Sequence, residues 1–182
     1  MSDLWELASK SCGRRESEDL VGTWMGLGLW IRNSATSSWT SVTDGACQVS
    51  AGDMDGDGKA DVIANYPSHG LWVKYSNTGG WTPLAAAASD ITTGDINGDG
   101  KADLVGIWDS LIKIRDSATG AWSLVAPGAS QVAAGDLDGD GKKDIVGIWI
   151  SGVWVRYSFT ANWQLLASPA DWIAAGRMRP GS

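Results

Sequence analysis

The chain has 182 residues, a formal net charge of −7, and 12 tryptophans against a single phenylalanine. Hydrophobic residues make up 43% of it and 24 residues are glycine, which favours a turn-rich all-β protein over a helical one. The acidic balance argues against nucleic acid as a partner, and no apolar run is long enough for a membrane-spanning helix. No signal peptide is predicted, because residues 1–10 lack a basic segment followed by an apolar one.

An acidic motif of ten residues occurs three times and reads Gly-Asp-x-Asp/Asn-Gly-Asp-Gly-Lys-x-Asp. Its lead aspartates, Asp53, Asp95 and Asp136, are 42 and 41 residues apart. A further 41 residues after Asp136 lies Arg177, where the residues that precede the motif are similar but the acidic loop is lost. The equivalent position 42 residues before Asp53 is Ser11. The chain therefore holds four repeat equivalents of about 42 residues, starting near residues 11, 53, 95 and 136.

Each repeat is predicted to contain four short strands. The first leads into the acidic loop, the second leaves it, the third alternates in polarity with a period of two, and the fourth follows a turn and begins at a tryptophan. The predicted first strands are 48–54, 90–96, 131–137 and 172–178, the second strands 20–24, 62–66, 104–108 and 145–149, and the third strands 29–32, 71–74, 112–115 and 153–156; the fourth begin at Trp39, Trp81, Trp122 and Trp163.

This organisation predicts an all-β fold, a β-propeller built from four short four-stranded blades. A β-solenoid is the alternative, but solenoid coils are usually shorter and do not need four turns per repeat. The predicted strand 172–178 lacks a blade, and the blade at 20–42 lacks its first strand, so joining them would close the ring and remove exposed edges. We predict an N-terminal extension with a degenerate loop at residues 1–18 and the propeller domain at residues 19–182.

The acidic loops carry the pattern of a calcium site. Side chains with oxygen atoms stand at loop positions 1, 3, 5 and 9, position 7 can add a backbone carbonyl, and calcium takes six to eight hard oxygen ligands. The conserved spacing of glycines within each loop permits the positive φ angles of a tight turn. The predicted ligands of three Ca²⁺ ions per chain are Asp53, Asp55, Asp57, Lys59 and Asp61; Asp95, Asn97, Asp99, Lys101 and Asp103; and Asp136, Asp138, Asp140, Lys142 and Asp144.

The crowding of carboxylates favours a bound cation over a solvated acidic turn, because such groups repel one another strongly when no cation lies among them. Magnesium prefers fewer protein ligands, and zinc would find one histidine and two cysteines in the whole chain. The loop is not an EF-hand, which requires Glu at position 12, where this chain has Ala64, Gly106 and Gly147.

At these motifs the sequence resembles the FG-GAP/VCBS repeats of integrin α-like β-propellers. The resemblance is carried by residues 53–64, 95–106 and 136–147 and covers roughly residues 20–178. It implies that the loop joins the first two strands of a blade and binds structural calcium. It also implies an extracellular or cell-surface protein of adhesion or recognition, since some members are lectins. The short blades and the degenerate fourth loop depart from the family pattern.

The rim opposite the acidic loops is predicted to hold a protein or glycan ligand. Its candidate residues, aromatic side chains at strand ends and a neighbouring carboxylate, are Trp24, Tyr66, Trp108, Trp149 and Asp109. Packing between blades is the alternative role for the repeated aromatic residues. Catalysis is not expected, because His69 is the sole histidine and most clustered carboxylates are assigned to metal. The alternative function is structural: the chain would form homo-oligomers by exchanging blades and would bind no small ligand.

Two expectations concern the chain ends. Arg177 takes the place of the lead aspartate in the degenerate loop and Asp19 that of position 9, so an Arg177–Asp19 ion pair is predicted to replace calcium there. Exposure of both side chains to solvent is the alternative. Cys12 and Cys47 could form a disulfide, but two cysteines alone do not decide it.

Overall fold

The computed structural model describes residues 19–24, 27–158, 160 and 162–175. This part of the chain contains strands and no helix, which confirms the all-β prediction. The strands are β1 (Leu20–Trp24), β2 (Gly28–Arg32), β3 (Trp39–Thr43), β4 (Gln48–Gly52), β5 (Asp61–Tyr66), β6 (Gly70–Lys74), β7 (Trp81–Ala85), β8 (Asp90–Gly94), β9 (Asp103–Trp108), β10 (Leu111–Arg115), β11 (Trp122–Pro127), β12 (Gln131–Gly135), β13 (Asp144–Trp149), β14 (Gly152–Arg156) and β15 (Trp163–Ala167).

The strands form four separate antiparallel sheets, each built from strands that follow one another in the chain. The first sheet contains β1–β3, and the second, third and fourth contain β4–β7, β8–β11 and β12–β15. Each sheet is thus one repeat folded as a meander, and its last strand begins at the predicted tryptophan. The first strands of the second to fourth sheets end two residues earlier than predicted, because those residues already belong to the acidic loop.

The hydrophobic core lies between neighbouring sheets. Ile63, Leu71 and Val73 of the second sheet pack against Leu104 and Trp108 of the third. Side chains alternate between the two faces of a strand, so each sheet offers aliphatic residues on one face and its strand-end aromatic residues on the other. The same aliphatic-to-aromatic packing recurs between the third and fourth sheets. Four sheets stacked in this way are consistent with a propeller-like fold.

The first strands β4, β8 and β12 lie side by side, with β8 between the other two. Asp90 at the start of β8 joins three sheets, since its carboxylate accepts hydrogen bonds from the Gln48 side chain and from the Val132 N–H at 2.7 Å. Thr93 Oγ1 also donates to the Ala51 carbonyl at 2.8 Å. Polar bonds between first strands therefore fix the relative position of successive sheets.

The two ends of the chain leave the arrangement open in the part that the structure describes. The first sheet has three strands there, and residues 172–175 of the predicted closing strand are not in a strand. Ile173 and Ala175 instead pack on the aliphatic face of the fourth sheet. No sheet of the described residues is closed, and residues 176–178 lie outside them, so ring closure stays a prediction.

Candidate metal centre and aromatic clefts

Each acidic loop is folded around its lead aspartate. In the first loop, which joins β4 to β5, Asp53 Oδ1 accepts a hydrogen bond from the Gly56 N–H at 2.7 Å and Oδ2 accepts one from the Gly58 N–H at 2.8 Å. These glycines have φ angles of 82° and 86°, in the left-handed region that glycine adopts without steric cost. Asp95 and Asp136 accept the corresponding bonds in the second and third loops. The predicted placement of the loops between first and second strands is therefore observed.

The aspartate at loop position 9 anchors the loop to the turn between the third and fourth strands. Asp61 is fully buried, and its two carboxylate oxygens accept the Ser76 N–H at 2.8 Å and the Met54 N–H at 2.9 Å. Asp103 and Asp144 are equally buried and bond in the same way. In the first repeat, which has no acidic loop, Asp19 accepts the Ser34 N–H at 2.8 Å. This aspartate thus has a structural role in all four repeats.

Burial gives these carboxylates an unfavourable electrostatic environment. Desolvation raises the pKa of Asp61 above its usual value of 3.8, the Ser76 and Met54 N–H groups lower it, and the nearby Asp55 and Asp57 charges raise it further. The pKa values of Asp103 and Asp144 are raised by burial in the same manner. A cation among these oxygens would offset both the desolvation and the mutual repulsion.

Two loops bring three carboxylates to one point. Oxygen atoms of Asp53, Asp55 and Asp61 lie within 4.8 Å of one another, and so do those of Asp136, Asp138 and Asp144. These are loop positions 1, 3 and 9. Closely spaced hard oxygens in a turn are the donors that calcium selects, so the residues present fit this ion. The ion itself stays a prediction.

The predicted ligands at positions 5 and 7 lie in the same loops but outside those groups. Asp57 Oδ2 accepts the Ser76 hydroxyl at 3.2 Å, and Asp140 Oδ2 accepts the Ser158 hydroxyl at 3.0 Å. The N–H groups of the position-7 lysines donate to the position-5 aspartates, which fixes the backbone whose carbonyl is the predicted ligand; these lysines are Lys59, Lys101 and Lys142. Their role as ligands remains untested.

The second loop differs from the other two at position 3, where Asn97 supplies an amide. Asp116, from the turn between β10 and β11, accepts a hydrogen bond from Asn97 Nδ2 at 3.0 Å. Its charge also raises the pKa of Asp103, more strongly than that of Asp99 does. Sequence reasoning missed Asp116, although a signal existed: the equivalent residues of the other repeats are Asn33, Tyr75 and Tyr157.

Each aromatic residue of the predicted ligand rim contacts the tryptophan that begins the last strand of its own sheet. The edge-to-face pairs are Trp24–Trp39, Tyr66–Trp81, Trp108–Trp122 and Trp149–Trp163, with ring centroids 5.2, 6.4, 5.1 and 4.8 Å apart. Trp108 is buried, and its indole N–H donates to the Ala86 carbonyl at 2.9 Å, so this residue packs between sheets.

Tryptophan clefts remain open at the first and fourth sheets. The cleft of the fourth sheet has a volume of about 230 Å³, and that of the first about 260 Å³. The lining residues are Ala126, Pro127, Trp149, Ser151, Trp154 and Trp163 in the fourth sheet and Trp24, Leu27, Trp30 and Trp39 in the first. Trp24 and Trp149 of the predicted rim are thus placed in clefts, whereas Tyr66, Trp108 and Asp109 do not line them.

Trp30 and Trp154, from the third strands, are cleft residues that the predicted rim did not include. The indole N–H of Trp30 donates to the Leu27 carbonyl at 2.7 Å, and that of Trp154 donates to Ser151 Oγ at 3.2 Å. Because each N–H already has a partner, these indoles offer a ligand their ring faces. Lys113 takes this position in the third sheet.

Three remaining predictions concern the chain ends, the cysteines and the membrane. Arg177 and Cys12 lie outside the described residues, so neither the Arg177–Asp19 pair nor a disulfide is tested. Cys47 is exposed, and its thiol donates to the Asn65 carbonyl at 3.3 Å. A helix of the length and hydropathy needed to cross a membrane is absent from the part of the chain that the structure describes.

Comparisons with known proteins agree with the fold. Solved structures that resemble the chain include a lectin from Agrocybe aegerita, described by its specific recognition of non-reducing terminal N-acetylglucosamine. It superposes with a TM-score of 0.54 at 20% identity, over 81% of this chain and 48% of the lectin chain, so this chain spans about half the lectin's length. At this identity the likeness shows the fold alone. Curated proteins gave no match. Residues 53–106 match the family model described as FG-GAP-like repeat, and the resemblance predicted from the sequence is thereby confirmed for this segment.

Proposed function

We propose that the chain is a non-catalytic recognition module that binds a carbohydrate in its tryptophan clefts and is stabilised by calcium in its acidic loops. The observation that carries the proposal is the cleft of the fourth sheet, where Trp149, Trp154 and Trp163 line an open depression of about 230 Å³. This volume is below the roughly 300–1,000 Å³ of pockets for drug-sized ligands, so the cleft fits one small ring.

The chemistry of the cleft favours a sugar over a charged ligand. The apolar C–H face of a pyranose ring matches the flat apolar face of an indole, so burying one against the other removes apolar surface from water. The described residues that line the cleft carry no charged side chain, while the Ser151 hydroxyl can still donate a hydrogen bond to a sugar oxygen. The likeness to a lectin structure supports this ligand class.

Calcium would be held by the loop residues at positions 1, 3, 5 and 9 and by the carbonyl at position 7. When bound, it would neutralise buried carboxylates such as Asp61 and fix the turn that Asp61 anchors. The acidic loop precedes β13 and Trp149 ends that strand, whereas Trp163 begins β15 opposite Arg156, at the loop end of the sheet. Calcium would therefore stabilise the sheet and the turn that precedes Trp163. An extracellular location is part of this proposal.

Isothermal titration with N-acetylglucosamine and other monosaccharides tests the proposal. The variant Trp30→Ala/Trp154→Ala removes the central indole of both clefts and should weaken sugar binding roughly tenfold, or about 1.4 kcal/mol. Trp72→Ala is the matched control, because Trp72 takes the same position in the second sheet and its N–H bonds to the His69 carbonyl at 2.9 Å. Sugar binding of unchanged affinity in the double variant, or no sugar binding by the unaltered protein, would contradict the proposal.

A second candidate function, assembly by blade exchange, is favoured by the two incomplete ends. The first sheet has three strands among the described residues, and the segment after β15 packs on the fourth sheet through Ile173 and Ala175. A second copy could supply the missing strand. Light scattering over a range of protein concentrations tests this, since exchange predicts a molar mass that rises with concentration and a closed monomer predicts a constant one.

A further inference from the structure

The three acidic loops do not carry the same charge. Loop positions 1, 3, 5 and 9 hold four carboxylates in the first and third loops and three in the second, where position 3 is Asn97. If all three loops bind the same ion, the second must recover the missing charge or bind more weakly. The residue that can supply it is Asp116, from the turn that follows β10 in the same sheet.

Asp116 contacts the residue that replaced the carboxylate. Asn97 Nδ2 donates to Asp116 Oδ2 at 3.0 Å, while Asn97 Oδ1 accepts the Asp99 N–H at 2.9 Å. The turn itself holds Asp116 in place, because its Oδ1 accepts the Thr119 N–H at 2.7 Å. Its side chain is therefore fixed next to the loop before any ion binds.

Two carboxylates orient the Asn97 amide through its Nδ2, Asp116 from the turn at the shorter distance and Asp99 from the loop. An asparagine can serve a cation only through Oδ1, because Nδ2 carries two hydrogens and repels it. Nδ2 donates to Asp116 Oδ2 at 3.0 Å and also to Asp99 Oδ2 of the loop at the longer distance of 3.3 Å, while Oδ1 accepts the Asp99 N–H and so lies on the loop side. In the second sheet, by contrast, Asn77 of the same turn donates to Asp55 Oδ2 at 2.5 Å, so there the carboxylate is on the loop and the amide on the turn.

We infer that Asp116 is a positioning residue of the second calcium site: it orients the Asn97 amide and restores the fourth negative charge that the loop itself lacks. At position 3 of the first and third loops, one aspartate, Asp55 or Asp138, supplies both the ligand oxygen and the negative charge. In the second loop Asn97 supplies the oxygen and Asp116 supplies the charge. This inference rests on the proposed calcium binding of the loops. It assigns a role to a residue outside the loop motif.

Calcium titration of protein freed of metal by chelation tests the role of Asp116. The unaltered protein should bind three ions, and Asp116→Asn should weaken one of the three sites roughly tenfold through the loss of a nearby charge. Asp109→Asn is the matched control, since it removes one charge from the turn after β9, at the far end of that strand from the loop. The control should leave all three sites unchanged.

The double variant Asn97→Asp/Asp116→Asn separates charge and orientation from a merely structural effect. It returns the carboxylate to position 3 and should restore the affinity of the weakened site. If the unaltered protein binds three ions and Asp116→Asn binds them equally well, or if the double variant is not restored, the role of Asp116 is refuted while calcium binding stands. If the unaltered protein binds no calcium, the proposed calcium stabilisation fails and the inference fails with it.

Discussion

Replacing Asp61 with alanine should destabilise the protein even when no calcium is present. The carboxylate is fully buried and accepts the Met54 and Ser76 N–H groups. Alanine leaves both donors without this acceptor, at a cost of about 1–3 kcal/mol each. Relief of the repulsion between Asp61 and the neighbouring Asp55 and Asp57 offsets part of that cost. A net loss of about 2 kcal/mol remains, which lowers the melting temperature of a domain of this size by about 4–8 °C.

The assay is thermal unfolding followed by circular dichroism, in excess calcium and in excess chelator. Asp57→Ala is the control, because Asp57 is exposed and belongs to the same loop but does not accept a backbone N–H from the turn. Asp57→Ala should lower the melting temperature in calcium and leave it nearly unchanged in chelator, whereas Asp61→Ala should lower it in both. Identical melting of Asp61→Ala and the unaltered protein in chelator would refute the structural role of position 9.

Three further predictions concern pH, packing and the chain end. Burial raises the pKa of Asp61, and a raised carboxyl pKa contributes stability at low pH that is lost as the pH rises, so the metal-free protein should melt at higher temperature as the pH falls from 7 towards 4. Gly106→Ala should lower the melting temperature, because its Cβ would lie 2.7 Å from the Trp108 ring. Deleting residues 172–182 should cause aggregation, visible in light scattering, by uncovering Val155.

The sequence predicts the strands and loops well because the residues that determine each strand or loop are close together in the sequence. Alternation in β6 and β14, glycines at positive φ in the acidic loops and a tryptophan at the start of β15 depend on neighbouring residues alone. Because the same pattern occurs in four copies, a strand that is ambiguous in one repeat can be assigned by comparison with the others. The position-9 aspartates and their loops can therefore be predicted from the sequence alone.

The clefts and the role of Asp116 depend on contacts between segments far apart in the chain. The alternation of β14 indicates that Trp154 lies on one face, but not that this face stays open in the fourth sheet while Trp108 is covered in the third. Asp116 is 19 residues from Asn97, and only the antiparallel pairing of β9 with β10 brings the turn next to the loop. Such strand pairings determine the geometry of the site, and the periodicity of the sequence does not predict them.

A crystal structure of the protein grown with calcium chloride and N-acetylglucosamine tests calcium-stabilised sugar recognition most directly. The proposal predicts one ion in each of the three acidic loops, coordinated by aspartates such as Asp53 and Asp61, and a sugar ring against Trp154 in the cleft of the fourth sheet. Loops filled by water alone, together with a sugar bound away from the tryptophan clefts or not bound at all, would contradict it.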